Sequence, residues 1–450
     1  MLARLRARLF KGERRTAIVL SAGAGLLSKS VNFVMLFAVV PLTLPHLGTE
    51  RFGVLMTILG YGALFSFVDL GIGSALIRET ARSNVEDEPE KMRDLLGSGL
   101  VLLVLIGLVF SGALLIASRM IPVDLLFRRL PQAHAAETRH ALTVFALIFG
   151  VALPLQGLQK IYHGFQRAYL THAASATLSL IALAALYFLP RDALTMPVIV
   201  AWVYGLPALA PLLVLPSFLS QRLSGYRLSW LGGLETSRLL LRSGGLYLLL
   251  QVGYVLGWSI DGSLTSAMLG ASSAGVLAVV QRLFQLVTVP LGLLNAPLWP
   301  AYSDAVARGD KAFIRKMLRR SMLFTMIFAG LAALVILVFR EQIINLWFGK
   351  QLAIPVGLLM LAAAMSVLEA TGTAFAMYLN GLHILKPQLF VAGSFILICL
   401  PLKYLLIDAY ALEGLVTSTI FCYFLCVVMP YATTFRRQIF SPVSQGKSYA

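Results

Sequence analysis

Two basic side chains stand where a lipid-spanning helix is least able to carry them. Lys29 lies inside SAGAGLLSKSVNFVMLFAVVPL, and Arg282 lies inside the apolar run at 274–300. At 1.5 Å of rise per residue, Lys29 is about 18 Å from the basic edge of its run. Arg282 is about 12 Å from the edge of its own. A cation at such depth costs about 2.5–3.5 kcal/mol on insertion scales, so it must face water or a partner. An ammonium and a guanidinium together hold phosphate oxygens well at low dielectric. The competing explanation is a snorkelling or structurally paired cation. Arg78, with Arg82, marks one mouth of the second apolar run. Lys160 belongs to a basic face in QGLQKIYHGFQR, where Gln156, Lys160, His163 and Arg167 recur at helical spacing; a solvated helix end explains that face equally well. The candidate phosphate-holding set is therefore Lys29, Arg282, Arg78 and Lys160. His163 has no second ligand at metal spacing.

A second class of residue suits a sugar, which offers apolar ring faces and hydroxyl edges. Asn32 shares a helical face with Lys29. Tyr61, Phe65 and Asp69 form a stripe at i, i+4 and i+8. Tyr247, Gln251, Tyr254, Trp258 and Asp261 follow at steps of 4, 3, 4 and 3, one continuous polar-aromatic face. Lipid-facing aromatics usually gather at the two interfaces, whereas this row runs along the helix. Gln285 is one turn from Arg282. Helix–helix packing by bulky residues explains the second row equally well. Asp69, Asp261 and Glu369 are the carboxylates placed to bind a coupling ion or proton, or to pair with a cation; Asp261 reads as lying at the rim of its span.

The elements that position these residues are legible in composition. The chain has 450 residues, 58% hydrophobic and only 13% charged, with a net charge of +17. Its mean hydropathy is +0.83. A soluble protein carries about a quarter charged residues, so this is a polytopic membrane protein. Apolar runs of 20 or more without alternation select helices over a barrel. Twelve spans are expected, near 17–42, 52–77, 95–117, 140–165, 170–189, 197–219, 241–263, 274–300, 321–339, 352–379, 388–406 and 411–432. With the N-terminus in the cytoplasm, most of the 37 Lys and Arg residues fall on the cytoplasmic side, as the positive-inside rule requires of both termini. The charge thus records topology and attraction to anionic lipid heads, not nucleic acid.

The chain also repeats. LGTERFGVLMTI (Leu47–Ile58) echoes LGASSAGVLAVV (Leu269–Val280), with Leu, Gly, Gly, Val and Leu in register 222 positions apart. The expected organisation is a basic lead-in at 1–16, a six-helix bundle at 17–219, a linker at 220–240, a second bundle at 241–432 and a tail at 433–450. An even number of spans per half gives two all-α bundles related by a pseudo-two-fold along the membrane normal. Gly71 and Gly73 permit a bend or close packing in span 2. Pro207, Pro211 and Pro216 should kink span 6, and Pro290, Pro297 and Pro300 should interrupt span 8.

Several functions are disfavoured. Cys399, Cys422 and Cys426 fall inside spans without C-x-x-C spacing, so neither a disulfide framework nor a zinc site is expected. No G-x-x-x-x-G-K-[ST] occurs, so movement must draw on membrane potential, H+ or Na+ coupling, or product removal. No cofactor is expected. No nucleophile–base pair or metal cluster is visible, so an enzyme is not expected.

HLGTERFG (His46–Gly53) and DLGIGSALIR (Asp69–Arg78) resemble the polysaccharide-transport branch of the multidrug/oligosaccharidyl-lipid/polysaccharide exporter superfamily. The resemblance spans the chain. It implies a flippase in the bacterial inner membrane that moves undecaprenyl-pyrophosphate-linked oligosaccharide units by alternating access about a cationic central cavity. The cargo would serve O-antigen, capsule or exopolysaccharide. Basic residues on the first and eighth helices serve the pyrophosphate in related lipid II flippases, and Lys29 and Arg282 occupy comparable helices. Partners implied are the lipid-linked oligosaccharide, membrane lipids, a polysaccharide polymerase and chain-length machinery. Two other functions share parts of the pattern: a cation-coupled small-molecule exporter of the same fold, and a membrane glycan polymerase or ligase.

Overall fold

A computed structural model describes residues 2–86, 89–221, 234–349, 352–382, 384 and 386–436. Among the described residues every regular element is helical. This follows from the solvent: a backbone in hydrocarbon must satisfy each N–H and C=O within its own segment. Among the described residues nine stretches are long and apolar enough to cross a membrane. Two of them, Gly23–Asp69 and Pro387–Ala432, are 47 and 46 residues long. At 1.5 Å per residue each reaches about 70 Å, twice the thickness of a hydrocarbon core. Each is broken once, the first at Gly48 and the second at Tyr410–Ala411, and so each supplies two crossings. The helix α7 (Leu234–Tyr254), a π turn at Val255–Ser259 and α8 (Asp261–Met268) supply one more. The protein is an all-α, twelve-crossing membrane protein.

The chain forms two compact units. Unit 1 is Met1–His46 with Ile58–Val255, and unit 2 is Leu47–Thr57 with Leu256–Ala450. The division does not coincide with the linker expected at 220–240, of which 222–233 lies outside the described residues. Unit 1 instead retains α7, and unit 2 takes the start of the second span.

The sequence echo explains the second exchange. Helix α1 (Leu2–Leu64) is interrupted at Gly48, with φ 72° and ψ 171°. Helix α9 (Ala271–Asn295) is preceded by Gly270, with φ 104° and ψ 168°. These are equivalent positions in the two copies of the motif, and they share a backbone region open essentially to glycine alone. The two copies also pack on one another inside unit 2. A Cβ on Gly53 would lie 1.7 Å from the carbonyl oxygen of Ala271. A Cβ on its counterpart Gly275 would lie 3.1 Å from the carbonyl oxygen of Thr49, the counterpart of Ala271. The contact is reciprocal, as a local two-fold demands. Phe52, Val54 and Leu55 of the same segment are fully buried.

In unit 1, α1 is followed by a 3-10 turn at Phe65–Asp69, α2 (Ile72–Glu86), α3 (Pro89–Met120), α4 (Gln132–Gly164), α5 (Ala168–Phe188) and α6 (Ala210–Gln221). The bend expected near Gly71 is present: Leu70 and Gly71 both have left-handed φ, 52° and 73°. Pro207 lies in a three-residue helical stretch, Leu206–Ala208, between a π turn at Ala201–Gly205 and the helix that begins at Ala210. The core of this unit is aromatic. Phe65 packs against Phe110, Phe145 and Phe149 at centroid distances of 5.0, 6.5 and 6.0 Å. The Tyr162 hydroxyl donates to the Val214 carbonyl at 2.7 Å and ties α4 to α6.

In unit 2, α9 runs straight through Pro290 and ends at Asn295. The break falls at Pro297, so of the three prolines expected to interrupt span 8, Pro290 does not. Helices α10 (Lys311–Val338), α11 (Val356–Gly381) and α12 (Lys386–Tyr423) complete the unit. Tyr302 and Tyr378 are fully buried and meet edge to face at 5.5 Å.

Candidate functional site

Unit 1 gathers basic groups from three helices. His172 on α5 packs against α1 at Gly25, where a Cβ would stand 3.6 Å from the imidazole. Lys29 is one helical turn further along α1, within electrostatic reach of His172. The rings of His172 and His163 approach to 5.2 Å between centroids. His163 shares a face of α4 with Lys160, one turn before it, and Lys160 lies within electrostatic reach. His163 Nε2 is buried and carries no hydrogen bond. The run Lys29, His172, His163, Lys160 is therefore a contiguous basic ridge, of which only the outer members were visible as candidates in the sequence.

Among the described residues one carboxylate, Asp69, lies within electrostatic reach of this ridge, at Lys160. Asp69 does not present a free group: its Oδ1 accepts from Gly71 N–H at 2.9 Å and its Oδ2 from Gly73 N–H at 3.2 Å. It caps the bend that follows span 2. Asn32 is engaged as well, accepting at 2.6 Å from the hydroxyl of the fully buried Ser179. Arg78 donates through Nε and Nη2 to Glu79 at 3.0 and 2.8 Å, yet its side chain stays half exposed.

Tyr61 is not on an open face. It is 9% exposed and packs its ring against Phe65 at 5.6 Å and Phe145 at 6.1 Å. The stripe of Tyr61, Phe65 and Asp69 is a packing seam ending in a cap. Helical spacing puts side chains on one face but leaves open what that face meets.

In unit 2, the Arg282 guanidinium donates to Gln285 Oε1 at 2.8 Å, one turn along α9. Gln251 is half-buried with an Oε1 that carries no hydrogen bond. The side chains of Tyr247, Tyr254 and Trp258 lie outside the described residues. Glu369 is half-buried on α11; its backbone carbonyl accepts from Thr373 at 2.9 Å.

Asp261 departs most from expectation. Its Oδ1 accepts at 2.5 Å from the ammonium of Lys403, a residue with 0% exposure. The same ammonium donates at 2.7 Å to the carbonyl of Gly257. That carbonyl belongs to the π turn Val255–Ser259, where the widened helix leaves backbone acceptors for other donors. A buried carboxylate is costly unless paired and hydrogen-bonded, and Lys403 from α12 supplies both needs. Sequence reasoning missed Lys403 because it falls near the end of an apolar run. The available signal was a lysine flanked by CLPL and YLLI with no other charge before Asp408.

Comparison with known proteins agrees with this architecture. Residues 19–305 match the family model described as polysaccharide biosynthesis protein. A protein of Yersinia pseudotuberculosis named "Putative O-antigen export protein" is 22% identical over 387 residues, covering 83% of this chain and 85% of the relative. Among solved structures, an inward-facing multidrug resistance MATE family transporter of the MOP superfamily superposes with a TM-score of 0.68 at 16% identity, over 96% of this chain and 95% of the other. The lipid II flippase MurJ in an inward closed conformation superposes with a TM-score of 0.67 at 14% identity, over 95% and 90%. The two structures share the fold, and the family model covers more than half of the chain. The chain belongs to the polysaccharide biosynthesis protein family.

Proposed function

We propose that the protein is a flippase that moves undecaprenyl-pyrophosphate-linked oligosaccharide units across the bacterial inner membrane by alternating access, for O-antigen or another surface polysaccharide. The observation that carries the reading is the basic ridge of Lys29, His172, His163 and Lys160 in unit 1. One carboxylate stands near it, already held by two backbone amides. Positive charge on Lys29 and Lys160 without equal negative charge beside it asks for an anionic cargo. Family membership over residues 19–305 supports a cargo on the route to polysaccharide. Arg282 is the corresponding cation of unit 2 and is bonded to an amide, so its charge is not neutralised by that contact. Both termini are assigned to the cytoplasm by the distribution of Lys and Arg. The driving force is assigned to membrane potential or a coupled H+ or Na+, and polymerase and chain-length proteins are the assigned partners.

A cation-coupled drug exporter wants free carboxylates facing its cargo. Asp69 serves as a cap and Asp261 is paired with Lys403, which leaves Glu369 alone for that role. The test is complementation of a deletion strain. Wild-type protein should restore surface glycan. Lys29→Ala and Arg282→Ala should insert normally and fail to restore it, with lipid-linked units accumulating on the cytoplasmic leaflet. Normal glycan in both variants refutes the reading. Translocated but unpolymerised units in the deletion strain would assign the protein to polymerisation instead.

A further inference from the structure

Unit 2 holds a pocket that cargo transport leaves without a role. Its volume is about 490 Å³, and it opens between α10, α11 and the stretch that follows α12. Met322 on α10, Leu368 and Phe375 on α11, and Val427 and Val428 beyond α12 supply apolar walls. The last two belong to the π turn Phe424–Val428, a widening of the helix that recurs at functional sites. Gly372 lacks the Cβ that would collide with the Tyr423 hydroxyl, so the phenol lies against α11. The polar groups of the wall are largely spoken for. The Thr371 hydroxyl donates to the Val367 carbonyl at 2.7 Å, and the Tyr431 ring packs on Phe375 at 5.4 Å. Water gains little in such a space, because it needs several polar partners. An empty apolar void forfeits dispersion on every wall. A hydrocarbon chain suits it.

The pocket has one charged end. Arg436 lines it and is exposed. Tyr423 lies about 20 Å from Arg436 along the helix, close to the depth of one leaflet. Ile314 and Leu318 of α10 share an apolar cluster with Tyr431 and Phe435, which sets the start of α10 at the same end as Arg436. That start carries Arg315, Lys316, Arg319 and Arg320, all exposed. Among the described residues the carboxylates of unit 2 at this end are occupied: Asp304 accepts from Arg308 at 3.1 Å, and Asp310 from the Phe313 N–H at 2.9 Å. An apolar slot with a cationic mouth fits a ligand that joins a hydrocarbon chain to an anionic head. Basic pockets between spanning helices take such head groups.

We propose that this pocket binds an anionic phospholipid of the leaflet at that end, with one acyl chain between α10, α11 and the π turn and the phosphate against Arg436. The site lies wholly in unit 2, shares no residue with the basic ridge and does not rest on the flippase reading. The distribution of Lys and Arg assigns that leaflet to the cytoplasmic side.

The experiment uses the full chain in phosphatidylcholine nanodiscs with a trace of phosphatidylglycerol that carries a diazirine near the end of one acyl chain. Irradiation and peptide mapping are expected to place label on 368–375 and 423–432. The level should exceed that on the exposed outer face of α10 at Phe324, Ile327 and Leu331, which any surrounding lipid touches. Unlabelled phosphatidylglycerol should compete for the pocket, and added phosphatidylcholine should not. Arg436→Gln should lower pocket labelling about fivefold, the usual worth of one arginine facing anionic lipid, and leave the outer face unchanged. Val428→Trp fills the pocket and should abolish its labelling with Arg436 intact. Label confined to the outer face of α10 in the wild-type protein overturns the site. Equal competition by phosphatidylcholine, or undiminished labelling of Arg436→Gln, overturns the anionic head group. Stronger competition by a polyprenyl phosphate than by phosphatidylglycerol overturns the phospholipid assignment in favour of a polyprenyl lipid.

Discussion

Gly53→Ala is the sharpest test of the packing between the two copies of the repeated motif. The added Cβ would stand 1.7 Å from the carbonyl oxygen of Ala271, 2.6 Å from its carbon and 3.0 Å from the Gly275 nitrogen. All three are backbone atoms, so no side chain can rotate away. Restoring a contact of about 3.2 Å requires the two helix starts to part by about 1.5 Å, a gap that forfeits much of the dispersion between them. Overpacking of this kind costs about 1–3 kcal/mol. The gain from replacing a helical glycine by alanine, about 0.5–1 kcal/mol, offsets part of it. The equivalent change in the other copy, Gly275→Ala, meets the Thr49 carbonyl at 3.1 Å and needs only a few tenths of an ångström. There the helix-propensity gain should roughly balance the cost. Gly330→Ala on α10 opens into free space and should be neutral or stabilising. Thermal unfolding in detergent should therefore rank Gly53→Ala clearly lowest, with the other two near wild type. A Gly53→Ala protein as stable as Gly275→Ala would refute the asymmetric contact, and with it the explanation of why Leu47–Thr57 belongs to unit 2.

Other substitutions follow from the same contacts. Lys403→Ala strands the Asp261 carboxylate and should cost about 3–5 kcal/mol, the usual penalty for breaking a buried ion pair; the double change Asp261→Asn with Lys403→Met should recover most of it, and chemical denaturation of the three proteins checks the order. Asp69→Ala removes two charge-assisted acceptors from the bend at Leu70–Gly71 and should destabilise by about 1–3 kcal/mol, whereas Asp69→Asn keeps one acceptor and should cost less, both read as shifts in melting temperature. Phe65→Ala leaves a void among four aromatic rings and should cost about 3–5 kcal/mol, while an alanine at the exposed Phe188 should leave the melting temperature unchanged.

The sequence by itself determined the solvent, the secondary structure and the duplication. Apolar runs of membrane-crossing length with few charges permit only helices, and that rule acts on each segment independently of its neighbours. The repeated Leu-Gly turn was legible because it imposes a local requirement, a positive φ at Gly48 and Gly270. Counting residues set where Lys29 and Arg282 fall along their helices but not their surroundings: Lys29 is exposed and Arg282 half-buried. What the sequence left open was which face of each helix meets which partner, because that is decided by residues far away along the chain. Tyr61, Phe65 and Asp69 looked like a cargo-facing stripe, and tertiary packing turned the rings inward against Phe145 and Phe149. Asp261 was open to a coupling ion or to a cation partner, and Lys403, 142 residues on, decided between them. His163 looked isolated until the turn into α5 brought His172 to it. Periodicity fixes the direction of a side chain relative to its own helix; only the assembled fold fixes whether lipid, protein or cargo lies in that direction.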